Sequence, residues 1–415
     1  MESLDALWRR LTARTDYERC RRPRAARFDL VGMEALCRRL GRPERAVPAL
    51  HLAGSKGKGS TAGFLERGLR AAGLRTGLYL SPHLEDWRER IQIDGRPAPD
   101  PALAAALASV LAAAAGGETF FDLLTAAAFL VFRDQGCEAA VIETGLGGRA
   151  DSTNVLRPLA AIVTSIEREH TEVLGDSLEA IAGEKAGIFK AGAACWSGLA
   201  PGHPAASVLR RAAAAVGEEL HELPESLGLR ADLPFPQPHM RRNHALARAV
   251  LAGLGGRDPR FAAAAAALDR LPADELRQAG RWEERTATDG RTVLFDVAHS
   301  PDSLRAVLAC YRTAFADRNR GVVLGLRDDK DPAALAAALA ADPGPAPAGE
   351  AWFACPAGDH PRSASPEVLA AAFGPAFRAA PLPKPLLPAG PEVLLVTGST
   401  YLVGALRPLT AVKTG

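Results

Sequence analysis

The sequence of 415 residues has few cysteines, no large excess of charge of either sign and no long hydrophobic run. Its six cysteines include no CxxC pair, which argues against a disulfide framework or a zinc cluster and favours reduced thiols in the cytoplasm. Fifty Lys and Arg residues against 48 Asp and Glu residues give a formal net charge of +2. Such an even balance argues against a dedicated surface for nucleic acid or for an anionic membrane. Any anionic ligand must therefore be held by a local site.

The longest apolar stretch, residues 102–115, is rich in alanine and contains Ser109. It is shorter than the roughly 20 residues that cross a bilayer, and it predicts a helix of a soluble domain. Acidic residues interrupt the basic residues near the N-terminus, and no apolar stretch of signal-peptide type follows them. We therefore expect no membrane association, no export signal and a cytoplasmic location.

Two series of alternating apolar runs and helical patterns predict an α/β fold with parallel sheets. The first series comprises strand 46–53, a glycine-rich turn, helix 61–72, strand 76–80, helix 123–133, and strands 139–142 and 159–165. Alanine-rich helices at 242–254 and 261–271 precede the second series. That series comprises strand 292–297, helix 303–314, strand 321–325, helix 332–339, strand 351–354 and a last strand at 392–396. We therefore predict two domains, residues 1–278 and 279–415.

The turn after the first predicted strand is typical of an anion-binding loop. It reads Gly54-Ser55-Lys56-Gly57-Lys58-Gly59-Ser60. Backbone N–H groups of such a loop and the positive end of the following helix bind phosphate, and a lysine there reaches the outer phosphates of a nucleotide. The spacing differs from GxxxxGK[ST], because Leu52 stands six residues before Lys58 and Gly59 follows that lysine. The alternative is a glycine-rich turn with solvated lysines.

Three polar side chains follow other predicted strands of the same series: Ser81, Glu143 and His170. A carboxylate and an imidazole on neighbouring strand ends, facing a phosphate loop, suit a divalent cation that neutralises triphosphate charge. Taken singly, Glu143 is a cap, His170 is a hydrogen-bonded structural histidine and Ser81 is an N-cap. Their common position at the carboxyl ends of the strands favours the metal site.

Three further residues have weaker local signals. Lys185 lies among small residues, and this pattern favours a lysine on a helix surface. Arg281 follows the predicted domain boundary, from where a guanidinium could reach a γ-phosphate, and Asp296 could accept hydrogen bonds from ribose hydroxyls. The alternative for Arg281 and Asp296 is an ordinary surface charge.

Taken together, these residues resemble the folylpolyglutamate synthase and dihydrofolate synthase family of the Mur ligase superfamily, and the resemblance covers nearly the whole chain. The segments that carry it are FDL (28–30), HLAGSKGKGS (51–60), LYLSPHLEDWRERIQIDG (78–95), TFFDLLTAAAF (119–129), IETGLGGRADSTNV (142–155), REHTEVLGDSLEAIAGEKAGIFK (168–190), RRNHALA (241–247), AGRWE (279–283), FDVAHSPDS (295–303) and VTGSTYLVG (396–404).

The resemblance implies a P-loop, Mur-ligase-like ATP-binding domain with a parallel-rich sheet, joined to a smaller C-terminal Rossmann-like α/β domain. It implies that the loop 54–60 holds ATP phosphates and that Asn243, Arg281, Asp296 and His299 are further ATP contacts. Ser81, Glu143, His170 and Lys185 match the ligands of Mg²⁺, at two sites, with Lys185 carbamylated. Lys58, His170, Lys185 and Arg281 are implied to act in catalysis. The segments around the pterin and folate are implied to be Asp29, Leu30, Val31, Ser81, Pro82, His83, Thr119, Phe120, Phe121, Asp122, Ala150, Asp151 and Ser152.

The sequence departs from the family pattern at two notable points. The loop usually reads GTNGKGS, and Ser55 and Lys56 replace its second and third residues, which adds a positive charge beside the phosphates. Ser300 stands where the usual DGAHN motif has asparagine.

The implied activity is ATP-dependent ligation of L-glutamate to a folate, to dihydropteroate or to both, through an acyl phosphate. One alternative is a Mur-type ligase for a non-folate carboxylate. Another is a nucleotide-binding regulatory protein with a decayed site, suggested by Lys56 and Ser300. The expected partners are small molecules only, namely ATP, glutamate and the folate or dihydropteroate, and the family expectation is a monomer.

Overall fold

The computed structural model describes residues 2–16, 29–224, 230, 232–328, 330–341, 349–374, 377–379 and 387–412. Phe28, part of the first resembling segment, lies outside these residues. The chain forms two compact units. The first comprises Met1–Pro82, Arg88–Leu233 and Pro238–Leu276, and the second comprises His83–Trp87, Pro234–Gln237 and Arg277–Gly415. Two short segments, 83–87 and 234–237, therefore belong to the second unit although they precede its main segment in the sequence.

The first unit is built on one mixed sheet. Its described strands are β1 (Ala49–Ala53), β2 (Thr76–Tyr79), β3 (Ile91–Ile93), β4 (Arg96–Pro97), β5 (Ala139–Glu143), β6 (Ala160–Val163), β7 (Ala194–Ser197) and β8 (Leu220–Glu222). They lie in the order β4-β3-β2-β5-β1-β6-β7-β8. All neighbours from β2 to β8 pair in parallel, whereas β3 is antiparallel to both β2 and β4. The phosphate-type loop therefore leaves the sheet near its centre.

The helices of the first unit lie between these strands and after them. They are α1 (Leu4–Thr12), α2 (Val31–Arg39), α3 (Lys58–Ala71), α4 (Asp100–Ala113), α5 (Phe120–Asp134), α6 (Thr171–Leu174), α7 (Leu178–Lys185), α8 (Ala206–Ala215), α9 (Pro238–Leu254), α10 (Pro259–Arg270) and α11 (Ala273–Leu276). Helix α3 packs closely against α9 and α10: a Cβ on Gly68 would lie 2.8 Å from Leu251 Cδ1 and 3.0 Å from the Ala264 carbonyl oxygen. This contact holds α9 beside the helix that follows the loop.

The second unit has its own sheet. Its described strands are β9 (Glu283–Ala287), β10 (Thr292–Phe295), β11 (Arg320–Leu324), β12 (Ala351–Ala354), β13 (Phe377–Ala379), β14 (Val393–Thr397) and β15 (Thr410–Val412), and its helices are α12 (Pro301–Ala314), α13 (Pro332–Ala341), α14 (Pro366–Phe373) and α15 (Thr400–Leu406). The strand order is β13-β12-β11-β14-β10-β9-β15. Strands β10 to β14 are parallel, and β9 is antiparallel to β10 and β15. The parallel strands pass through a buried core that contains Val293, Phe295, Val323, Leu394 and Val396.

The long parallel strands match the apolar runs of the sequence, but the short antiparallel ones were not predicted. The prediction that 392–396 is the last strand is wrong, because Thr410–Val412 follows as an edge strand. A strand of only three residues is too short to form an apolar run that would reveal it. Within the described part of the chain, no helix is both long and apolar enough to span a membrane.

Candidate active site

The phosphate-type loop joins β1 to α3. Gly57 precedes the helix with a φ of 80°, a left-handed conformation that glycine adopts without strain. The amide of Thr61 donates to the Gly57 carbonyl oxygen at 2.8 Å and makes the first hydrogen bond of the helix. The amides of Lys58 and Gly59 precede that bond and lie at the positive end of the helix dipole. The helix begins at Lys58, three residues earlier than predicted. Its first turn is therefore the anion-binding part of the loop.

The first half of the loop is bound to the segment that follows β6. The Ser55 amide donates to the Ser165 carbonyl oxygen at 2.9 Å, and the Lys56 amide donates to Ser165 Oγ at 2.8 Å. Thr164 Oγ1 donates to the Lys56 carbonyl oxygen at 2.6 Å. The amides of Ser55 and Lys56 therefore donate within the protein, and they hold the first half of the loop against the residues that follow β6.

The Thr164 hydroxyl gives a direct test of this attachment. Thr164→Val keeps the shape of the side chain and removes the bond to Lys56, a loss of about 1 kcal/mol. We therefore expect the affinity for ADP, measured by calorimetry, to fall about fivefold.

Thr144→Val is the matched control, because Thr144 follows β5, is buried, and its hydroxyl has no hydrogen-bond partner among the described residues. The control should bind ADP as the parent does. Equal affinities for both variants would contradict the role given to Thr164.

Lys58 lies over the loop rather than in solvent. Its Nζ donates to the Gly54 carbonyl oxygen at 3.0 Å and lies 3.9 Å from Glu143 Oε1, and the side chain is only 16% exposed. The alternative of a solvated lysine does not apply to this residue. The ammonium is already positioned at the loop, where it can meet the outer phosphates of a nucleotide.

Glu143 is the last residue of β5 and is buried. Its Oε2 accepts from the Ser81 amide at 3.2 Å, so the segments after β2 and β5 meet at this carboxylate. The predicted arrangement of Glu143 and His170 on neighbouring strands is wrong, because β1 lies between β5 and β6. The two residues therefore follow strands on opposite sides of the strand that carries the loop.

Lys185 is buried, with 1% exposure, and the prediction of a helix-surface lysine is wrong. Its Nζ lies 2.9 Å from Glu169 Oε1. Burial favours the neutral form of Glu169, but the charges of Lys185, Lys58 and Lys56 outweigh it and lower the Glu169 pKa to about 2. Burial also lowers the pKa of Lys185. A carboxylate and three lysines are thus concentrated at this edge of the sheet.

His170 directly follows Glu169 and precedes the short helix α6. It has a φ of 47°, and its Nδ1 lies 3.9 Å from Glu172 Oε1. The described residues contain no group of three or more His, Cys, Asp or Glu side chains that could hold a metal ion by themselves. Mg²⁺ commonly takes one or two protein carboxylates and completes its shell with water and phosphate oxygens. The buried Glu143 carboxylate, with the Ser81 segment against it, fits that requirement.

Asn243 approaches the loop from α9. A Cβ on Gly57 would lie 2.6 Å from Asn243 Oδ1 and 2.9 Å from its Nδ2. The side-chain amide is therefore packed against the glycine that precedes the helix. The structure thus brings this predicted nucleotide contact to the loop.

The side chains predicted around the folate stabilise local turns. Thr119 and Asp122 form a capping box at the start of α5, and Ser152 Oγ donates to Asp122 Oδ1 at 2.5 Å. Asp151 accepts from the amides of Leu146 and Thr153 at 2.9 and 3.0 Å, and burial raises its pKa. These bonds join two of the predicted substrate segments, 119–122 and 150–152.

The remaining predicted substrate residues lie at several places. Phe120 is buried with its ring 5.6 Å from that of Trp8, and the Phe121 ring is 5.9 Å from that of Tyr79. The Val31 amide donates to Asp29 Oδ1 at 3.0 Å, at the start of α2, and the Val31 side chain is exposed. The peptide bond between Ser81 and Pro82 is cis, and His83 begins a segment of the second unit.

Asp296 is buried within the second unit. Its Oδ2 accepts from Gln237 Nε2 at 3.1 Å and from the Trp282 amide at 3.0 Å, and its Oδ1 accepts from the Ala298 amide at 3.0 Å. The alternative of an ordinary surface charge is therefore wrong for Asp296. Its carboxylate joins the residue that precedes β9 to the turn that follows β10.

The second unit also contains two further predicted ATP contacts and the residue at which the sequence departs from the family motif. Arg281 Nη1 donates to the Gly280 carbonyl oxygen at 3.1 Å. His299 Nδ1 lies 2.9 Å from the Val297 carbonyl oxygen. Ser300, which replaces the family asparagine, precedes α12, and its amide donates to Ser303 Oγ at 3.0 Å.

Sequence reasoning missed Thr164, Ser165 and Glu169. Thr164 and Ser165 directly follow β6, and parallel strands present such positions at one edge. Glu169 precedes the singled-out His170. The sequence signal that could have identified these residues is their position shortly after a buried strand.

Comparison with known proteins finds two family models. The Mur ligase middle domain matches residues 52–195, and the Mur ligase, glutamate ligase domain matches residues 280–385. A folylpolyglutamate synthase from Lacticaseibacillus casei is 32% identical over 337 residues, which are 73% of this chain and 76% of that protein. The chain spans less than half of the length of two further curated relatives that it matches, 46% and 42%.

Solved structures match both units. A structure of E. coli FolC in complex with DHPP and ADP has a TM-score of 0.78 and 26% identity and covers 99% of each chain. A Yersinia pestis bifunctional folylpolyglutamate synthase/dihydrofolate synthase complexed with AMPPNP and Mn ion has a TM-score of 0.77 and 25% identity and covers 98% of each chain. The mixed α/β architecture described above is thus shared with these proteins.

Proposed function

The chain belongs to the folylpolyglutamate synthase/dihydrofolate synthase family, and on that premise we propose that it is an ATP-dependent ligase that joins L-glutamate to a folate, to dihydropteroate, or to both. The observation that carries the proposal is the group of charged side chains beside the loop at one edge of the first sheet. This group comprises Lys58, Glu143 and the Glu169–Lys185 pair. Helix amides and lysines there are suited to a triphosphate. The ADP-bound E. coli relative supports the same use of the fold.

The proposed reaction activates a carboxylate with phosphate. A carboxylate is a poor acylating agent near neutral pH, so its oxygen first attacks the γ-phosphorus of ATP in line, and ADP leaves. The α-amine of glutamate then displaces phosphate from the acyl phosphate and forms the amide. In the first step Lys58 and the first-turn amides of α3 stabilise the negative charge on the transferring phosphoryl group.

The residues that would hold a divalent cation are Ser81, Glu143, His170 and Lys185, with two Mg²⁺ ions proposed. When bound, the metal would neutralise phosphate charge. The complex of the Yersinia pestis relative with AMPPNP and Mn ion supports divalent metal use. The buried Glu143 carboxylate beside Lys58 supports its role as the central ligand.

We further propose that Lys185 is carbamylated. An amine reacts with CO₂ in its neutral form, and burial lowers the Lys185 pKa toward that form. Protein equilibrated with ¹³C-bicarbonate should give a carbamate carbon signal that is absent in Lys185→Gln. The ion pair with Glu169 is the competing state, and a spectrum without the signal, in the presence of MgADP, would contradict carbamylation.

The remaining roles of site residues are proposed from the resemblance to the folylpolyglutamate synthase/dihydrofolate synthase family. Arg281, Asp296 and His299 of the second unit are proposed as ATP contacts, with Arg281 acting on the transferring phosphate. The segments 29–31, 81–83, 119–122 and 150–152 are proposed to surround the folate. The bond between Ser152 and Asp122 supports a shared role for two of these segments. We propose a cytoplasmic monomer without nucleic-acid or membrane partners, and light scattering of the purified protein tests its oligomeric state.

The decisive experiment incubates the purified protein with MgATP, glutamate, and either dihydropteroate or tetrahydrofolate. ADP release and product mass are followed, with reactions lacking glutamate as controls. Turnover with one acceptor or with both would define the substrate range. ADP binding without glutamate-dependent ADP release on either acceptor would overturn the proposed function and favour a regulatory protein.

A further inference from the structure

Arg242 lies in the second turn of α9 and binds the end of β7. Its Nε donates to the Gly198 carbonyl oxygen at 2.7 Å, and its Nη2 donates to the Leu199 carbonyl oxygen. Burial lowers the pKa of the guanidinium. The guanidinium has several N–H donors in a fixed fork, and this one side chain thus joins α9 to two consecutive carbonyl groups after the strand.

The strand end that Arg242 binds is in turn packed against the segment that holds the loop. A Cβ on Gly198 would lie 2.5 Å from the Thr164 carbonyl oxygen and 2.8 Å from Leu246 Cδ2. Thr164 holds the Lys56 carbonyl group, and Leu246 lies one turn further along α9. Interiors packed this closely transmit small displacements. The Arg242 contact is therefore connected to the first half of the loop.

The next residue of α9 reaches the second half of the loop. Asn243 packs its amide against Gly57, as described above, and is nearly buried. A rotation or shift of the first turns of α9 would move that amide away from Gly57. The loop is thus held by Thr164 and Ser165 at Ser55 and Lys56, and by Asn243 at Gly57.

We propose that Arg242 is a positioning residue for the nucleotide: it fixes α9 on the end of β7, so that Asn243 is held against the phosphate loop. This inference rests on one part of the proposed function, namely that the loop 54–60 binds the nucleotide. Arg242 acts through Asn243 and through the strand end, and it needs no contact with the nucleotide itself.

ADP binding to the full chain, measured by calorimetry, tests the proposal. Arg242→Met keeps much of the apolar stem and loses both hydrogen bonds, and we expect the Kd for ADP to rise about tenfold. Arg248→Met is the matched control, because Arg248 lies on the same helix in an exposed ion pair with Asp269. Its Kd should equal that of the parent protein.

A double-mutant cycle separates positioning from general loss of structure. If Arg242 acts through Asn243, Arg242→Met should weaken ADP binding much less in an Asn243→Ala background than in the parent. Arg242→Lys keeps the charge and reaches one carbonyl group, so an intermediate Kd is expected, and it serves as the second variant where the methionine variant does not fold.

The outcomes distinguish the inference from the proposed function. Parent-like ADP affinity in Arg242→Met, or fully additive effects of the two substitutions, would overturn the inference alone. A parent protein that binds no ADP would overturn both. Weaker binding with strong coupling to Asn243 would support the inference even if glutamate transfer to folates were not observed.

Discussion

Replacement of Lys58 with methionine is expected to reduce glutamate-dependent ADP release at least about 100-fold. The Lys58 Nζ donates to the Gly54 carbonyl oxygen and lies 3.9 Å from Glu143, so its charge is already positioned at the loop. Methionine keeps an aliphatic stem of similar length and removes the charge. The loss should appear mainly in kcat, because the charge is needed most as negative charge develops on the transferring phosphoryl group.

Two measurements separate this effect from loss of structure. The variant should still unfold cooperatively, with a melting temperature lowered by a few degrees, because the substitution removes one hydrogen bond to a backbone carbonyl group and the 3.9 Å ion pair with Glu143. Lys58→Arg restores a positive charge with a different shape and should recover only part of the activity. Parent-like turnover in Lys58→Met would refute the assignment of the phosphate loop.

Replacement of Glu350 with alanine is expected to destabilise the second unit by about 3–5 kcal/mol. The Glu350 side chain is fully buried. Its Oε1 lies 2.9 Å from Arg312 Nη2 and accepts from Trp352 Nε1 at 3.0 Å, and its Oε2 lies 3.5 Å from Arg320 Nε. Alanine would leave two largely buried guanidinium groups without their carboxylate, and urea unfolding monitored by tryptophan fluorescence measures the loss.

A surface pair in the same unit provides the control. Glu392 and Arg318 form an ion pair at 2.9 Å, with side chains that are 55% and 50% exposed. Exposed pairs add little to stability because water and salt screen them. Glu392→Ala should therefore leave the unfolding midpoint nearly unchanged. Equal midpoints for the Glu350 and Glu392 variants would show that the buried network does not stabilise the second unit.

Much of the site could be predicted because parallel strands bring their carboxyl ends to one edge. Ser81, Glu143 and the loop follow buried apolar strands, and the structure brings them together. The order of those strands could not be predicted, since β5, β1 and β6 pair across long separations in sequence. For this reason the sequence predicts neighbouring strands for Glu143 and His170, whereas β1 lies between them in the sheet.

Lys185 shows a second limit of sequence reasoning. Lysine is rarely fully buried, and its partner Glu169 lies 16 residues earlier, outside any helical repeat. No local pattern therefore distinguishes this lysine from one on a surface.

The early start of α3 is a third case that the sequence does not predict. Glycines at 57 and 59 disfavour a helix locally, but the packing of α3 against α9 and α10 outweighs that preference.

The two early segments of the second unit have a consequence for the order in which the chain folds. Glu85 pairs with Arg407, and the Leu84 carbonyl group packs so closely on Gly404 that no room is left for a Cβ at that position. Gln237 donates to Asp296. During synthesis, residues 83–87 leave the ribosome about 320 residues before their partners Gly404 and Arg407. The second unit therefore completes this packing only after α15 and Arg407 have been made, and residues 277–415 do not contain all of the unit by themselves.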